Sequence, residues 1–408
     1  MKLEVFNLLD LNFPAHWQLK KFKHIFKFIS ETGYSDRELL SVFLDRGVIK
    51  YSANNAKPVH KPSENLSNYQ LVQPGDLVLN NQQAWRGSVG VSEYEGIVSP
   101  AYYVLRPTIL INAKFLNYVA RDMFVVGQFK MASKGVGSIQ RQIYVPYLKN
   151  IFLPLPPIDE QEKIVRYLDK KTSAAQKIID AKTKQVELLA ELKRSIISNA
   201  VTHGIFSDKT PDTWQNVKLF QIATEQKISN KNVHNQNLLS LSYGKIKRKN
   251  INSTNGLLPA NFDNYQIVHD GNIILRLTDL QNDHRSLRVG LVTETGIITA
   301  AYLCLKILGN NYPKFLYYVL HNYDIAKKFY GMGSGVRQSL NYKDISRLKF
   351  FLPPLWEQKE IADFLDWKCG KIENLISALK KEIELYKELQ KSLIAEVVTG
   401  KIDVRELI

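Results

Sequence analysis

Asp212, after Pro211, and the run Glu225-Gln226-Lys227 stand in the order of a Pro-Asp…Glu-x-Lys metal site, the signature of one class of nuclease. A comparison within the chain argues against that chemistry. Pro211-x-x-Trp214-Gln215 repeats Pro14-x-x-Trp17-Gln18, and the residue matching Asp212 is Ala15. The proline and tryptophan persist while the acid does not, so the motif reads as a packing element at the start of a domain. Methyl transfer to a base finds no better support. It needs an Asn/Asp-Pro-Pro-Tyr/Phe element to hold a flipped adenine. The pairs Pro156-Pro157 and Pro353-Pro354 are instead preceded by Leu and followed by Ile158 or Leu355. There is no glycine-rich strand-to-helix loop for a methyl donor and no Gly-Lys-Ser/Thr phosphate loop. The eight histidines lack the spacings of zinc sites. The two cysteines, Cys304 and Cys369, are far apart, which fits a reducing compartment without a disulfide framework.

Side chains suited to nucleic acid are more plentiful. A net charge of +16 and a pI near 9.5 favour a polyanionic partner. Lys245, Lys247, Arg248 and Lys249, with Tyr243 beside them, form the densest basic run and suit phosphate contacts, though a solvated charged loop has the same composition. After the run Ile273-Ile-Leu come Arg276, Thr278, Asp279, Gln281, Asn282, His284, Arg285 and Arg288. Their counterparts after Leu77-Val-Leu are Asn80, Asn81, Gln82, Gln83, Trp85 and Arg86. Arginine suits guanine edges, and asparagine or glutamine suits adenine. The two sets differ where the flanking runs agree, as expected if each reads its own sequence; plain loop divergence gives the same pattern. Gln140, Arg141 and Gln142 follow one Gly/Ser stretch, and Arg337, Gln338 and Ser339 follow another, within expected reach of base or phosphate. Glycine there would let the backbone approach DNA closely.

These clusters need a frame, and the chain contains that frame twice. LPPIDEQEKIVRYLDKK opens residues 155–201, and LPPLWEQKEIADFLDWK opens residues 352–398. A shift of 197 positions, Pro156 onto Pro353, also superposes Glu160-Gln161 on Glu357-Gln358 and Leu168-Asp169 on Leu365-Asp366. Other islands repeat: Tyr69-Gln-Leu-Val with Gly75-Asp76 against Tyr265-Gln-Ile-Val with Gly271-Asn272, and Gly96 to Tyr102 against Gly296 to Tyr302. The chain is a tandem duplication. Each globular part reads as mixed α and β. Strands are expected at Leu77-Val-Leu, Val89-Gly-Val, Tyr102-Tyr-Val-Leu, Ile273-Ile-Leu and Tyr302-Leu-Cys-Leu-Lys-Ile. Helices are expected at 112–128 and 312–330, with Gly/Ser loops at 133–138 and 331–335.

Each LPP copy reads as a long helix entered through a proline stop. Asp159 is placed to cap the first, with Glu162 completing a capping box. Steps of three and four from Val165 reach Leu168, Thr172, Ala175, Ile179, Lys182, Val186, Leu189, Lys193, Ile196 and Ala200. The matching positions in copy two run from Ala362 to Val397, with Gln390 the polar one. That is a sustained heptad seam, expected to pack as a coiled coil. At about 1.5 Å per residue it makes a rod of roughly 60 Å. The alternative, each helix packed only on its own globular part, leaves most of such a rod unburied. Lys182 and Lys193 are expected to snorkel outward. The heptads alone do not decide the orientation; antiparallel pairing is expected because duplicated units commonly pack about a two-fold axis, and one perpendicular to the rod makes the helices antiparallel. It would bring the tail after Lys401 beside the first globular part. The expected fold class is α+β, two mixed α/β units alternating with two long helices in an antiparallel coiled coil.

Two unlike heads held by a two-fold rod suit duplex DNA, whose half-sites recur on one face at a helical turn, on the order of 34 Å. A scaffold binding two proteins satisfies the same geometry. LPP-x-x-EQ-x-x-I-x-x-x-LD with a long helix ending in Val-Thr, present twice over the whole chain, resembles the specificity subunit of type I restriction–modification systems. The first copy ends in VTHG where the second has VTGK. The resemblance implies target recognition domains at 1–154 and 204–351, each reading half of a bipartite double-stranded DNA site, and spacer helices at 155–203 and 352–408. It implies a non-catalytic chain without a cofactor of its own. The expected partners are two modification subunits using S-adenosylmethionine to methylate adenine, and restriction subunits using ATP and Mg. No apolar run approaches the roughly 20 residues of a membrane span, so the expected location is the cytoplasm.

Overall fold

A computed structural model describes residues 13–44, 46–53, 62–136, 140–206, 209–231, 233, 235–251, 261–280, 283, 286–332 and 339–407. The chain divides into two compact units, one of Met1–Ala181 with Glu382–Ile408 and the other of Lys182–Lys381. Each holds one head together with part of both long helices.

Head 1 is built on a four-stranded antiparallel sheet in the order Phe26–Ile29, Tyr102–Pro107, Leu77–Asn80, Val89–Val91. Leu77, Leu79, Val89 and Leu105 face the core shared with the helices, while Val78 and Val104 pack with Val42, Val72 and Val98 on the other face. Burial on both faces explains runs of continuous apolar residues where a half-exposed strand would alternate. Head 2 repeats the plan with Ala223–Glu225, Leu303–Ile307, Ile273–Leu275 and Val289–Leu291. There Ile273, Leu275 and Leu305 face one core, and Ile274 and Cys304 the other.

The repeated islands turn out to touch each other. Gln70 Nε2 donates to the carbonyl of Tyr102 at 2.8 Å, and Gln266 Nε2 to that of Tyr302 at 2.6 Å. Trp17 donates its indole N–H to Glu160 at 3.0 Å, and Trp214 donates to Glu357 at 3.0 Å. Gln161 reaches back to the Pro156 carbonyl at 2.9 Å and accepts the Asn112 N–H at 2.9 Å. Gln358 does the same with Pro353 and Tyr312, at 2.9 and 2.8 Å. The Leu-Asp pair completes the clamp. Asp169 accepts from Lys114 and Tyr118, and Asp366 from Lys314 and Tyr318. Glu-Gln and Leu-Asp are therefore fasteners that hold each head on the start of its following helix.

The long helices span Ile158–His203 and Leu355–Val398. In the first unit Ile164, Val165 and Leu168 share a core with Val397 and Val398. In the second, Ile197, Ala200 and Val201 share one with Ile361, Ala362 and Leu365. The start of one helix meets the end of the other in both units, which is antiparallel pairing. Cross-helix hydrogen bonds agree: Gln390 Nε2 to the Thr172 carbonyl at 2.9 Å, and Lys193 to Glu373 at 2.6 Å. Every seam position expected from the heptads is buried or half-buried. Ile402 and Val404 of the tail pack into the core of the first unit, as expected.

Several local expectations change. The first helix begins at Ile158, so Asp159 lies inside its first turn, and the Pro157 carbonyl accepts the N–H groups of Glu160 and Gln161 instead of a capping box. Lys193 does not snorkel into water, because Glu373 on the facing helix offers a closer charge. The helix expected over 112–128 is two, Ala113–Ala120 and Met123–Met131, because the Asp122 side chain caps a new N-terminus at Phe124. The one over 312–330 stops at Ile325, and Lys327 turns left-handed at φ +57 before a 3-10 turn. The Gly/Ser stretch after Ala132 is a strand, Ser133–Val136, paired with Gln140–Ile143. In the second such stretch, 331–335, Gly331 ends the 3-10 turn and residues 333–335 lie outside the described residues, and the strand expected from Tyr302 starts at Leu303. Among the described residues no helix is long and apolar enough to cross a membrane.

Candidate nucleic-acid interface

In head 1 the connection between Leu77–Asn80 and Val89–Val91 closes through a 3-10 turn, Ala84–Arg86, ended by Gly87 at φ +100. Gly87 is left-handed, a conformation open to glycine at no steric cost. Asn80 accepts the Gln82 N–H at 3.0 Å, which starts the turn. Asn81 is a correction to the sequence expectation. It is buried, and its side-chain carbonyl accepts the Ile143 N–H at 2.9 Å, so it fastens the Gln140–Ile143 strand to the loop and is not presented to a base. Gln82, Gln83 and Arg86 are exposed. Trp85 donates to the Gln82 carbonyl at 2.9 Å, with the guanidinium of Arg86 at 4.6 Å and that of Arg141 at 5.7 Å from its ring. The two distant segments carrying Arg86 and Arg141 thus meet on one indole. Gln140 opens the adjoining strand.

In head 2 the corresponding connection runs between Ile273–Leu275 and Val289–Leu291. Arg276 pairs with Asp283 at 3.6 Å, Thr278 is half-buried, and Asp279 is left-handed at φ +57. Gln281, Asn282, His284, Arg285, Arg337 and Gln338 lie outside the described residues. The Leu340 N–H donates to the Leu277 carbonyl at 2.9 Å, joining the segment after Gln338 to this loop. Arg288, grouped with the base readers by its position, is fully buried and turned inward.

The basic run is half of a hairpin, Leu239–Ser242 with Lys245–Arg248, whose tip carries Tyr243, 82% exposed. Two of its cations already have acidic partners. Lys245 bonds Glu373 at 2.9 Å, and Arg248 bonds Glu294 at 2.7 Å. Burial works to raise the Glu373 carboxyl, but its bonds to Lys193 and Lys245 outweigh that and hold it below the usual range. Glu294 is likewise held low by Arg248. Lys247 and Lys249 are exposed and have no acidic partner among the described residues.

Sequence reading missed the matching hairpin of head 1, Leu40–Phe43 with Gly47–Lys50, where Arg46 lies 4.7 Å over the Phe43 ring. It also missed Lys134, stacked 3.8 Å over Tyr144, beside Tyr147. Both tyrosines are exposed. The interleaving of Lys134, Arg141, Tyr144 and Tyr147 along one stretch was the available signal. Asp212 is exposed in the turn before Trp214, Glu225 is paired with Lys227 at 2.7 Å, and no group of three metal-ligating side chains occurs among the described residues. Cys304 and Cys369 are buried, and burial pushes the Cys304 thiol up to about 12.

Two head-on-helix repeats with unlike polar loops on like sheets define a class of duplicated recognition protein. The family model of the type I restriction modification DNA specificity domain matches residues 14–188 and again 211–385, and the chain belongs to that family. It is 26% identical over 427 residues to a Methanocaldococcus jannaschii protein provisionally described as the type I restriction enzyme MjaX specificity subunit, covering 96% of this chain and 95% of that one. It is 24% identical over 318 residues to the MjaVIII specificity subunit of the same organism, covering 72% and 70%. Two solved structures share the fold. One belongs to work on complex assembly and conformational transition of the type I R-M system, with a TM-score of 0.71 at 15% identity, covering 96% of this chain and all 100% of the other. The other is the HsdS subunit from Thermoanaerobacter tengcongensis, with a TM-score of 0.53 at 16% identity, covering 96% and 98%.

Proposed function

We infer that this chain is the DNA sequence-specificity subunit of a type I restriction–modification complex. Each head reads one half of a bipartite site, and the paired helices set the unread interval between the halves. The observation that carries the reading is the contrast within the duplication: sheets, fasteners and seam are repeated, while the loops at 80–88 and 276–288 are not. Shared scaffold with private loops is what two half-sites of different sequence require. We assign Gln82, Gln83, Arg86 and Arg141 in head 1, and Arg276, Thr278 and Asp279 in head 2, to base contacts, with Asn80 shaping the first loop. Asn282, Arg285, Gln140, Arg337 and Gln338 belong to the same reading by sequence position. Lys247 and Lys249 serve phosphate, and Lys245 and Arg248 join them if DNA displaces Glu373 and Glu294.

The chain itself performs no bond chemistry in this reading. Methyl transfer from S-adenosylmethionine belongs to modification subunits, and ATP- and Mg-dependent steps to restriction subunits. Two modification subunits are expected because the duplication extends to the outer helix faces. Leu188 and Leu192 are 51% and 48% exposed, and their repeats Leu385 and Leu389 are 53% and 60% exposed. Apolar pairs one turn apart, left uncovered at matching places, suit one partner bound twice. Bind-and-select with the assembled methyltransferase tests the whole. A two-part motif with a constant gap supports the reading, and recovery of no sequence preference rejects it in favour of a protein-binding scaffold.

A further inference from the structure

Arg288 closes the head 2 loop just before the strand Val289–Leu291, and among the described residues it is the largest fully buried side chain. Arginine is rarely buried completely unless its charge and its five N–H groups are all met. Here four of the N–H groups are met by the loop itself and the fifth by Tyr330. Nε donates to the Tyr330 hydroxyl at 3.0 Å, Nη1 to the carbonyls of Arg276 at 3.1 Å and Thr278 at 2.8 Å, and Nη2 to those of Asp279 at 3.3 Å and Asp283 at 2.5 Å. The Tyr330 ring lies 5.3 Å from the guanidinium carbon, and its hydroxyl donates to the Asp283 carbonyl at 3.1 Å. The Arg288 backbone N–H donates to the buried Asp324 carboxyl at 2.6 Å; burial pushes that carboxyl up, while this bond and the nearby Arg288 charge pull it back down.

Four carbonyls from one loop converge on a single planar cation. Backbone carbonyls turned inward need a partner, and a fixed fork of donors accepts only one arrangement of them. The backbone at Arg276, Thr278, Asp279 and Asp283, including the left-handed turn at Asp279, is therefore held by the guanidinium. Nothing of the kind occurs among the described residues of head 1. The matching residue is Ser88, whose hydroxyl donates to the Val42 carbonyl at 3.0 Å outside its own loop.

We propose that Arg288 is a positioning residue for the half-site read by head 2. It touches no DNA, and it fixes the loop so that Arg276, Thr278 and Asp279 are offered to the base edges in one arrangement. The inference rests on the reading of that loop as a base reader. An ammonium has three donors and no planar fork, so Arg288→Lys keeps the charge while losing the template. Tyr330→Phe removes one acceptor of the cluster and leaves its ring, a milder change that serves if Arg288→Lys does not fold.

The test is bind-and-select with the assembled methyltransferase carrying Arg288→Lys, Tyr330→Phe or Arg276→Ala, with a melting curve for each. Arg288→Lys should reduce discrimination between first and second choice bases in the head 2 half-site on the order of ten-fold, with the head 1 half-site unchanged. Tyr330→Phe should act in the same direction by less. Folded variants that keep the head 2 preference, or that weaken binding to both half-sites alike, overturn the proposal if Arg276→Ala alters that preference. If Arg276→Ala leaves it intact too, the loop is not the reader and the proposal falls with that assignment.

Discussion

Removing the Glu357 carboxylate should cost head 2 its hold on the second helix. Glu357 and Trp214 are both buried, and the indole N–H meets the carboxylate at 3.0 Å. A hydrogen bond to a charged group contributes about 1.5–3 kcal/mol. Glu357→Ala leaves the buried indole without an acceptor, so its cost should lie at the upper end, near 3 kcal/mol. Trp214→Phe removes the donor and some apolar contact, including the edge-on packing against Phe315 at 6.5 Å. Once one partner is gone the other has nothing left to lose, so the double variant should fall short of the sum by about 1.5–3 kcal/mol. Urea unfolding, followed by both circular dichroism and tryptophan emission, gives the four free energies when the two probes coincide. Additivity within about 0.5 kcal/mol would refute the fastener.

Deleting one matched heptad from both long helices removes about 10 Å of rod, so the unread DNA interval should shorten by roughly 3 base pairs with both half-sites unchanged in a selection experiment. Lys247→Ala with Lys249→Ala should weaken binding to all sequences alike and lower the salt-dependence slope by about 0.9 per lost phosphate contact, measured by titration at several salt concentrations. Burial pushes His321 down to about 4, so the folded chain keeps it neutral while the unfolded chain takes up a proton nearer 6.5. The unfolded state then binds more protons in that window, and stability should fall as pH drops from 6.5 to about 4, by on the order of 3 kcal/mol from this group. Unfolding against pH should show that slope in the native chain and lose it in His321→Gln.

The long helices were legible in the sequence because a heptad seam is a local periodicity, and each position it named from Val165 to Ala200 is covered in the fold. The repeated islands were visible as repeats but their purpose was not. Trp17 and Glu160 stand 143 residues apart, and one sequence carries no record of such a pairing. Polar loop residues were the least readable, because composition does not tell which way a side chain turns. Asn81 and Arg288 have the chemistry of base readers and spend it on the Ile143 N–H and on four loop carbonyls. Helix ends failed where one side chain decides, as Asp122 does by capping Phe124.

Exchange of the second head tests the central claim most directly. Replacing residues 206–350 with the corresponding domain of another specificity subunit, and sequencing the sites methylated by the assembled complex, should change one half of the recognised sequence and preserve the other half and the gap. A change in both halves, or in the half assigned to the untouched head, would contradict the account.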